Sequence, residues 1–187
     1  LQNDLYQINM AESYWNDGIH ERTAIFDLYF RSMPFNSGYA VFNGLKRVID
    51  FIENFGFSDN DIEYLKTIGY KDDFLSYLKN LKFTGNIRSM QEGELCFGNE
   101  PLIRVEAPLI QAQLIETILL NIINFHTLIA TKASRIRQIA LNDTLMEFGT
   151  RRGQEIDAAV WGARAAFIGG FDSTSNVRAG KLFDIPV

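Results

Sequence analysis

Two polar runs near the end of the chain decide its fold: Glu147-Phe148-Gly149-Thr150-Arg151-Arg152 and Gly169-Gly170-Phe171-Asp172-Ser173-Thr174-Ser175-Asn176. Each run follows an apolar stretch, which is Leu145-Met146 in the first case and Ala165-Ala166-Phe167-Ile168 in the second. This order predicts two strands that end in polar, glycine-containing loops. In a parallel α/β barrel, catalytic groups lie where strands end and loops begin. An aromatic face and two arginines at one strand end, with hydroxyls and a carboxylate at the next, would suit a flat anionic ring beside a phosphorylated sugar.

The elements around these loops alternate along the chain. Apolar periodicity predicts strand 144–149, helix 156–168, strand 170–172, helix 175–183 and a further strand from Ile185. Strands that alternate with helices are typical of a parallel sheet or barrel. We therefore expect the last part of the chain to be the first part of an α/β (TIM-like) barrel.

The preceding part has the pattern of an α+β domain with antiparallel strands. Its predicted helices are 4–17, 39–55, one capped by Ser58 and one at 74–81, and its predicted strands are 24–31, 87–90, 94–97 and 102–106. Pro108 suits the first position of a helix, and a helical pattern runs from there to residue 140 with a break predicted near Phe125. The predicted organisation is an α+β N-terminal domain at 1–107, linking helices at 108–141 and an incomplete barrel at 142–187.

Both ends of the chain indicate a fragment. Leu1 is not an initiator methionine, and Phe183-Asp184-Ile185-Pro186-Val187 has the pattern of a helix end that leads into a new strand. We expect the barrel to continue beyond Val187, and we expect the fragment to be inactive alone.

Composition indicates a globular protein and excludes several functions. Of 187 residues, 47% are hydrophobic and 22% are charged, and the net charge of −5 argues against general nucleic-acid binding, which needs a basic surface. Cys96 is the only cysteine, so an intrachain disulfide and a cysteine metal cluster are excluded, and we expect Cys96 to be a small buried residue. His20 and His126 are the only histidines, which argues against a His-rich metal site; His126 is expected to pack in a core or interface.

No targeting or membrane segment is indicated by the sequence. The chain opens without a basic region followed by an apolar one, so no signal peptide is predicted. The longest apolar stretch, Leu114 to Ile123, is interrupted by polar residues and is too short to cross a bilayer. We expect a cytoplasmic protein that binds neither a membrane nor nucleic acid.

Many short motifs match one known family in the same order. They are Asp4-Leu5-Tyr6-Gln7-Ile8-Asn9-Met10, Phe30-Arg31, Pro34-Phe35, Gly38-Tyr39-Ala40, Gly44-Leu45, Glu92-Gly93, Glu100-Pro101-Leu102, Gln113-Leu114-Ile115-Glu116-Thr117, Leu120-Asn121-Ile122-Ile123-Asn124-Phe125, Ala130-Thr131-Lys132-Ala133, the two polar runs and Ala179-Gly180-Lys181-Leu182-Phe183. In these motifs the chain resembles the nicotinate phosphoribosyltransferase family over nearly all its length. One segment departs from the family, since Gly153-Gln154-Glu155-Ile156-Asp157 replaces the Ala-Gln-Gly-Pro-Asp of many members.

The resemblance implies the fold and the reaction of an enzyme of NAD biosynthesis. The implied fold is of the type II phosphoribosyltransferase kind, an α+β domain followed by a partial α/β barrel. The implied reaction joins nicotinic acid to phosphoribosyl pyrophosphate, coupled to ATP hydrolysis, and gives nicotinic acid mononucleotide and pyrophosphate. Mg²⁺ is expected to accompany phosphoribosyl pyrophosphate and ATP, without a metal site in this chain or a tightly bound organic cofactor. The phosphorylated histidine of ATP coupling and most of the 5′-phosphate site would lie beyond Val187.

The first polar run supplies most of the candidate site. The reaction needs an anionic ring held in line with a ribose carbon, and it needs phosphate charge to be screened. Phe148 would stack on one face of the pyridine ring, and the resemblance implies that Tyr6 of a second subunit stacks on the other, so that a homodimer would share its sites. Gly149 would let the backbone approach the ligand. Arg151, expected to be catalytic, and Arg152 would bind phosphate oxygens or the carboxylate.

The second polar run supplies a carboxylate and hydroxyls. Asp172, also expected to be catalytic, would orient the ribose hydroxyls or an arginine. Ser173, Thr174 and Ser175 would donate to the substrate, with capping of the following helix as the alternative.

Two further features bear on the charge of the substrate. The resemblance implies that an aspartate stands at the position of Ser175 in the related nicotinamide enzyme, where it would repel the carboxylate of nicotinate. Serine therefore favours the acid over the amide. Lys132 and Arg135, on the long helix, are expected to be partly structural, with at most one of them reaching a phosphate.

Two alternative functions stay open at the level of sequence. One is a nicotinamide or quinolinate phosphoribosyltransferase, and the other is a non-catalytic module that binds a small ligand on the same scaffold. A Gly-Thr-x-Ala-His-like loop beyond Val187 would favour the enzyme.

Overall fold

The computed structural model describes residues 2–187 as a mixed helix and strand fold. In chain order the elements are α1 (Leu5–Asn16), β1 (Thr23–Leu28), β2 (Ala40–Val41), α2 (Leu45–Glu53), α3 (Asp59–Thr67), α4 (Asp72–Asn80), β3 (Asn86–Ser89), β4 (Leu95–Cys96), β5 (Ile103–Pro108), α5 (Leu109–Ala140), β6 (Met146–Glu147), α6 (Ile156–Ile168), β7 (Ser173–Thr174) and α7 (Val177–Phe183). The chain forms two compact units, each built from several segments. The predicted end of the α+β domain at residue 107 and the predicted start of the barrel after residue 141 stay predictions.

The first unit comprises the chain up to Leu28 together with Lys46–Arg88 and Ile103–Asn121. Its sheet has the strand order β1-β5-β3, and β1 is antiparallel to β5. Arg104 faces Asp27 across this pair and donates to both carboxylate oxygens, at 2.7 and 2.8 Å. The predicted antiparallel pairing is therefore confirmed for β1 and β5.

The second unit comprises Tyr29–Leu45, Ser89–Leu102 and Ile122–Val187. Strands β2 and β4 are antiparallel, whereas β6 and β7 are parallel and are connected through α6. Met146 pairs with Ser173 and Glu147 with Thr174. The predicted strand–helix–strand alternation with parallel pairing is confirmed for these elements.

A partly buried ion pair links separate segments of the second unit. Arg164 of α6 donates to the two carboxylate oxygens of Glu92 at 3.0 and 2.6 Å, and the two side chains are only 15% and 13% exposed. The same Glu92 carboxylate accepts the Gly44 N–H at 2.9 Å. Glu92 thus ties α6 to the loop that precedes α2.

Helix α5 is continuous from Leu109 to Ala140, so the break predicted near Phe125 is wrong. The segment contains neither glycine nor proline, the residues that most often interrupt a helix. Pro108 is the last residue of β5 rather than the first residue of the helix.

By length and composition alone, α5 is long and apolar enough to cross a membrane. Half of its most apolar stretch is buried within the structure. The core helix of a soluble protein can have the same length and composition, so α5 is weak evidence for a membrane.

Several predicted helix and strand boundaries differ from the structure, because glycine conformations and helix ends set where the elements begin and end. The helix predicted at 39–55 begins at Leu45, because Gly44 has a left-handed φ of 109° that a helix cannot accommodate. The strand predicted at 170–172 instead lies at Ser173–Thr174, because the Gly169, Gly170 and Phe171 N–H groups still bond to carbonyls of α6. The first barrel strand shortens to Met146–Glu147.

The elements around α7 also differ from the prediction. The helix predicted from 175 begins at Val177. The strand predicted from Ile185 is not formed, although the Pro186 carbonyl accepts the Thr174 N–H at 2.9 Å.

Two single-residue predictions are confirmed by burial. Cys96 is fully buried, and burial followed by the nearby Glu100 charge raises the pKa of its thiol to about 11. His126 is 3% exposed and stacks on Trp161, with ring centroids 5.6 Å apart. Both residues pack in the interior as expected.

Candidate functional site

The second unit contains a concave pocket at the end of β6. Its volume is about 470 Å³, and it is lined by Phe35, Leu128, Ile129, Lys132, Ala133, Ile136, Glu147, Phe148, Gly149, Arg152, Ala166 and Phe171. Most of these side chains are apolar or aromatic, and only three carry a charge. A mostly apolar cleft with a few convergent charged groups is the usual form of a small-molecule site.

Phe148 is the aromatic residue that the sequence placed in the site, and it lines this pocket. It follows β6 directly, and its side chain is 65% exposed. An aromatic ring left open to solvent beside a pocket presents an apolar face on which a flat ring can stack. Phe148 therefore lies at the end of strand β6 and at the pocket, the position that the sequence predicted for it.

Glu147 holds the loop around Phe148 in place and was not singled out from the sequence. One of its carboxylate oxygens accepts the Gly149 N–H, and the other accepts from the Thr174 hydroxyl at 2.7 Å. Its backbone carbonyl accepts the Ser175 N–H at 2.9 Å. The two predicted loops are thus joined by one side chain, whose only sequence signal is its position before Phe148.

Gly149 lies against the Glu147 carboxylate in this arrangement. A Cβ atom at this position would lie 2.5 Å from the Glu147 carboxylate oxygen. Gly149 also lines the pocket, and the close approach of a ligand to its backbone stays a prediction.

The paired arginines lie on a 3₁₀ turn, Thr150–Arg152, directly after Gly149. Both side chains are exposed, and Arg152 lines the pocket. The Arg152 N–H donates to the Gly149 carbonyl at 2.8 Å, which fixes the turn. Arg151 is adjacent to this pocket in sequence but is not among its lining residues.

Asp172 forms an ion pair with Arg137, a residue that the sequence analysis missed. Arg137 donates through Nη2 to Asp172 Oδ2, which also accepts the Leu145 N–H at 2.7 Å. The Leu145 N–H, followed by the Arg137 guanidinium, holds the pKa of Asp172 below its usual value. The structure contains the contact of Asp172 with an arginine, and its expected role toward the ribose hydroxyls stays a prediction.

The three predicted hydroxyls have different surroundings. The Thr174 hydroxyl is fully buried, donates to Glu147 and accepts the Asn176 N–H at 3.0 Å, so it belongs to the loop scaffold. The Ser173 hydroxyl is buried and has no hydrogen-bond partner among the described residues. Ser175 is exposed but is not among the residues that line the pocket, so its contact with a ligand stays a prediction. The cap of α7 is Asn176, which accepts the Ala179 N–H at 3.0 Å, so none of the three serves as that cap.

Tyr6 lies in the first unit, on α1, apart in sequence from the pocket residues. Its hydroxyl donates to Glu116 at 3.3 Å, and its side chain is 48% exposed. Burial, followed by the Glu116 charge, raises the pKa of Tyr6. The ring thus has an exposed surface on its own helix, and its predicted contact with a second subunit stays a prediction.

Within residues 2–187 no cluster of three His, Cys, Asp or Glu side chains is arranged to hold a metal ion. The expected Mg²⁺ ions would be bound together with the substrates, so this observation does not test them.

Solved structures place the fold in a known class. Human nicotinic acid phosphoribosyltransferase has a TM-score of 0.94 and 38% sequence identity, with 100% of this chain and 38% of that chain covered. A nicotinate-nucleotide pyrophosphorylase from Pyrococcus furiosus has a TM-score of 0.78, with 100% and 40% covered, and at 22% identity it shows a likeness of fold alone. The mixed helix and sheet fold is therefore that of the phosphoribosyltransferases of pyridine nucleotides.

Sequence comparison identifies the family. A family model described as the nicotinate phosphoribosyltransferase (NAPRTase) N-terminal domain matches residues 1–124. The chain belongs to the nicotinate phosphoribosyltransferase family. It is 63% identical over 188 residues to the Bacillus subtilis (strain 168) nicotinate phosphoribosyltransferase, and 44% identical over 191 residues to nicotinate phosphoribosyltransferase 2 of Arabidopsis thaliana. Each match covers 100% of this chain, which spans 38% and 34% of the length of these two relatives.

Proposed function

We propose that this chain supplies part of the active site of a nicotinate phosphoribosyltransferase. The reaction joins nicotinic acid to phosphoribosyl pyrophosphate, coupled to ATP hydrolysis, and gives nicotinic acid mononucleotide and pyrophosphate in NAD biosynthesis. The observation that carries the proposal is the pocket in which Phe148 lies beside the cations Lys132 and Arg152 at the end of β6. A planar aromatic acid matches both the aromatic surface and the charge of this pocket.

The loop residues can serve the steps of such a reaction. Displacement of pyrophosphate from ribose develops positive charge on the sugar and leaves negative charge on the departing group. Arg151 and Arg152, exposed on one turn, offer guanidinium donors to phosphate oxygens or to the carboxylate of nicotinate. Phe148 aligns the pyridine ring so that its nitrogen attacks the sugar carbon.

Several further properties belong to the same proposal. Mg²⁺ accompanies phosphoribosyl pyrophosphate and ATP, and no organic cofactor is tightly bound. The β6–α6–β7 unit is the start of a TIM-like barrel. The protein is a cytoplasmic homodimer in which Tyr6 of one subunit completes the ring site of the other.

The test is an assay of the full-length protein with phosphoribosyl pyrophosphate and, in turn, nicotinate, nicotinamide and quinolinate, each with and without ATP. The proposal expects mononucleotide formation with nicotinate and stimulation by ATP. Preference for nicotinamide or quinolinate would assign a different phosphoribosyltransferase. Binding of nicotinate without any product would indicate a non-catalytic module.

A further inference from the structure

We propose that Lys132, held at the pocket by Phe35, pairs with the carboxylate of the ring substrate and so selects the acid over the neutral amide. This inference rests on the proposed function and assigns a specificity role to a residue of α5, outside the two strand-end loops.

One face of α5 forms a wall of the pocket. Five of its residues line the cavity, at the spacing of successive helical turns: Leu128, Ile129, Lys132, Ala133 and Ile136. Residues three and four positions apart share a helix face, so these side chains form one continuous stripe. Lys132 is the only charged member of the stripe. Its side chain is exposed, so the ammonium is accessible to a ligand that enters the pocket.

Phe35 anchors this part of the pocket through an uncommon backbone conformation. Its φ and ψ are 59° and 24°, and the next residue, Asn36, also has a left-handed φ of 51°. Consecutive left-handed residues other than glycine cost free energy and persist where the surroundings hold them, often at functional sites. Arg135 supplies one such restraint, because its Nη1 donates to the Phe35 carbonyl at 3.1 Å.

The Phe35 ring positions the Lys132 ammonium and leaves some of its N–H donors available for another partner. The Lys132 Nζ atom lies 5.6 Å from the ring centroid, a cation–π distance. The ring accepts the cation on one side only, so the ammonium N–H donors on the other side can still bond to a carboxylate. Within residues 2–187, Lys132 forms no ion pair with a carboxylate.

The other charges near the pocket are engaged elsewhere in the loops. The Glu147 carboxylate accepts from Gly149 and Thr174, and Arg137 pairs with Asp172. Two cations line the cavity, Lys132 and Arg152. Lys132 lies on the long helix α5, whereas Arg152 lies on the short turn after Gly149. A rigid element places a specificity group more accurately than a loop does.

The experiment compares full-length wild type with Lys132→Met, which keeps the aliphatic chain and removes the charge, and with Lys132→Arg, which restores it. Lys181→Met, a change at an exposed lysine of α7 that does not line the pocket, is the matched control. Steady-state assays give KM for nicotinate and for phosphoribosyl pyrophosphate. Calorimetry gives the Kd of nicotinate and of nicotinamide without turnover.

Lys132→Met should raise both the KM and the Kd of nicotinate about tenfold or more, the loss expected for a charge-assisted hydrogen bond. The KM of phosphoribosyl pyrophosphate and the Kd of nicotinamide should not change, and Lys132→Arg should recover most of the affinity. Lys181→Met should match wild type.

Two results would overturn this role while leaving the proposed function intact. One is an unchanged affinity for nicotinate in a folded Lys132→Met protein, and the other is an equal loss for nicotinate and nicotinamide, which would indicate a space-filling role. Should Lys132→Met not fold, Lys132→Gln provides the same comparison. Absence of turnover in wild type would refute the proposed function, and the calorimetric comparison would still decide the role of Lys132.

Discussion

Arg137 and Asp172 connect the C-terminal end of α5 to the loop that precedes β7. Besides its ion pair with Asp172, Arg137 donates to the carbonyls of Gly170 at 2.7 Å, Leu141 at 3.0 Å and Asp143 at 2.7 Å. Every nitrogen of the guanidinium is therefore used. This planar fork fixes the approach to β6 and β7 together, an arrangement that lysine could not reproduce.

Asp172→Asn should lower the thermal stability at neutral pH, because the charged pair is lost. The pKa of Asp172 is lower in the folded protein than its ordinary value. The pair therefore stabilises fully above the unfolded aspartate pKa of about 3.9, and its contribution is lost as pH falls through the lower, folded value. The difference in Tm between wild type and variant, measured from pH 7 downward, should shrink in acid.

The control for this titration is Asp143→Asn, because Arg137 contacts the backbone carbonyl of Asp143 rather than its carboxylate. A Tm difference for Asp172→Asn that is the same at every pH would show that the ion pair does not act through its charge.

Gly149→Ala should reduce catalysis by displacing the loop that carries Phe148. The added Cβ would lie 2.5 Å from the Glu147 carboxylate, so the loop or Glu147 must move. We expect kcat/KM to fall about tenfold or more, as is typical when site geometry shifts by an ångström. Gly38→Ala is the control, since nothing lies within 4 Å of a Cβ there. Equal activity of the two variants would mean that the loop absorbs the change.

Arg151→Ala in the full-length enzyme should weaken catalysis strongly without unfolding the protein. Arg151 is exposed on the turn after Gly149, so removing its side chain costs little packing. Loss of a charge-assisted contact to an anion should cost about 2–4 kcal/mol in kcat/KM. Steady-state kinetics would identify Arg151 as an ordinary surface residue if kcat/KM stayed within about twofold of wild type.

Mixing two inactive variants tests whether sites are shared between subunits. If each site uses Tyr6 from one chain and Phe148 from the other, a heterodimer of Tyr6→Ala and Phe148→Ala has one doubly damaged site and one intact site. Random exchange makes about half of the dimers mixed, so about a quarter of wild-type activity should return in a two-fold dimer. If both residues serve the site of their own chain, nothing returns, and verified subunit exchange without recovery would contradict the shared site.

The sequence predicted most of the helices and the two polar loops that follow β6 and precede α7, because those signals are local. The Ser58 cap, for example, was recognised from residue type alone, and its hydroxyl accepts the Asp61 N–H at 3.2 Å. The two polar loops were found because an apolar stretch precedes each, and the structure joins them through a hydrogen bond between Thr174 and Glu147 that the sequence did not predict.

The contacts that organise the site could not be predicted in the same way. Arg137 lies on a helix 35 positions before Asp172, and no periodicity in the sequence connects them. Phe35 lies still farther from Phe148 along the chain, although both line one pocket. The short strands β6 and β7 were also misplaced. Their bounds depend on glycine φ angles and on where the neighbouring helices end, and the pattern of apolar residues contains no signal for either.

The partly buried contact between Glu92 and Arg164 has a consequence for how this family can vary. Replacing either partner alone would leave the other charge partly buried and without its partner, which is unfavourable. Reversing the two charges would not restore the site, because the Gly44 N–H would then face a cation in place of its acceptor. Homologues should therefore retain both residues or exchange both for uncharged ones, so that an inherited change at position 92 is tolerated only together with one at position 164.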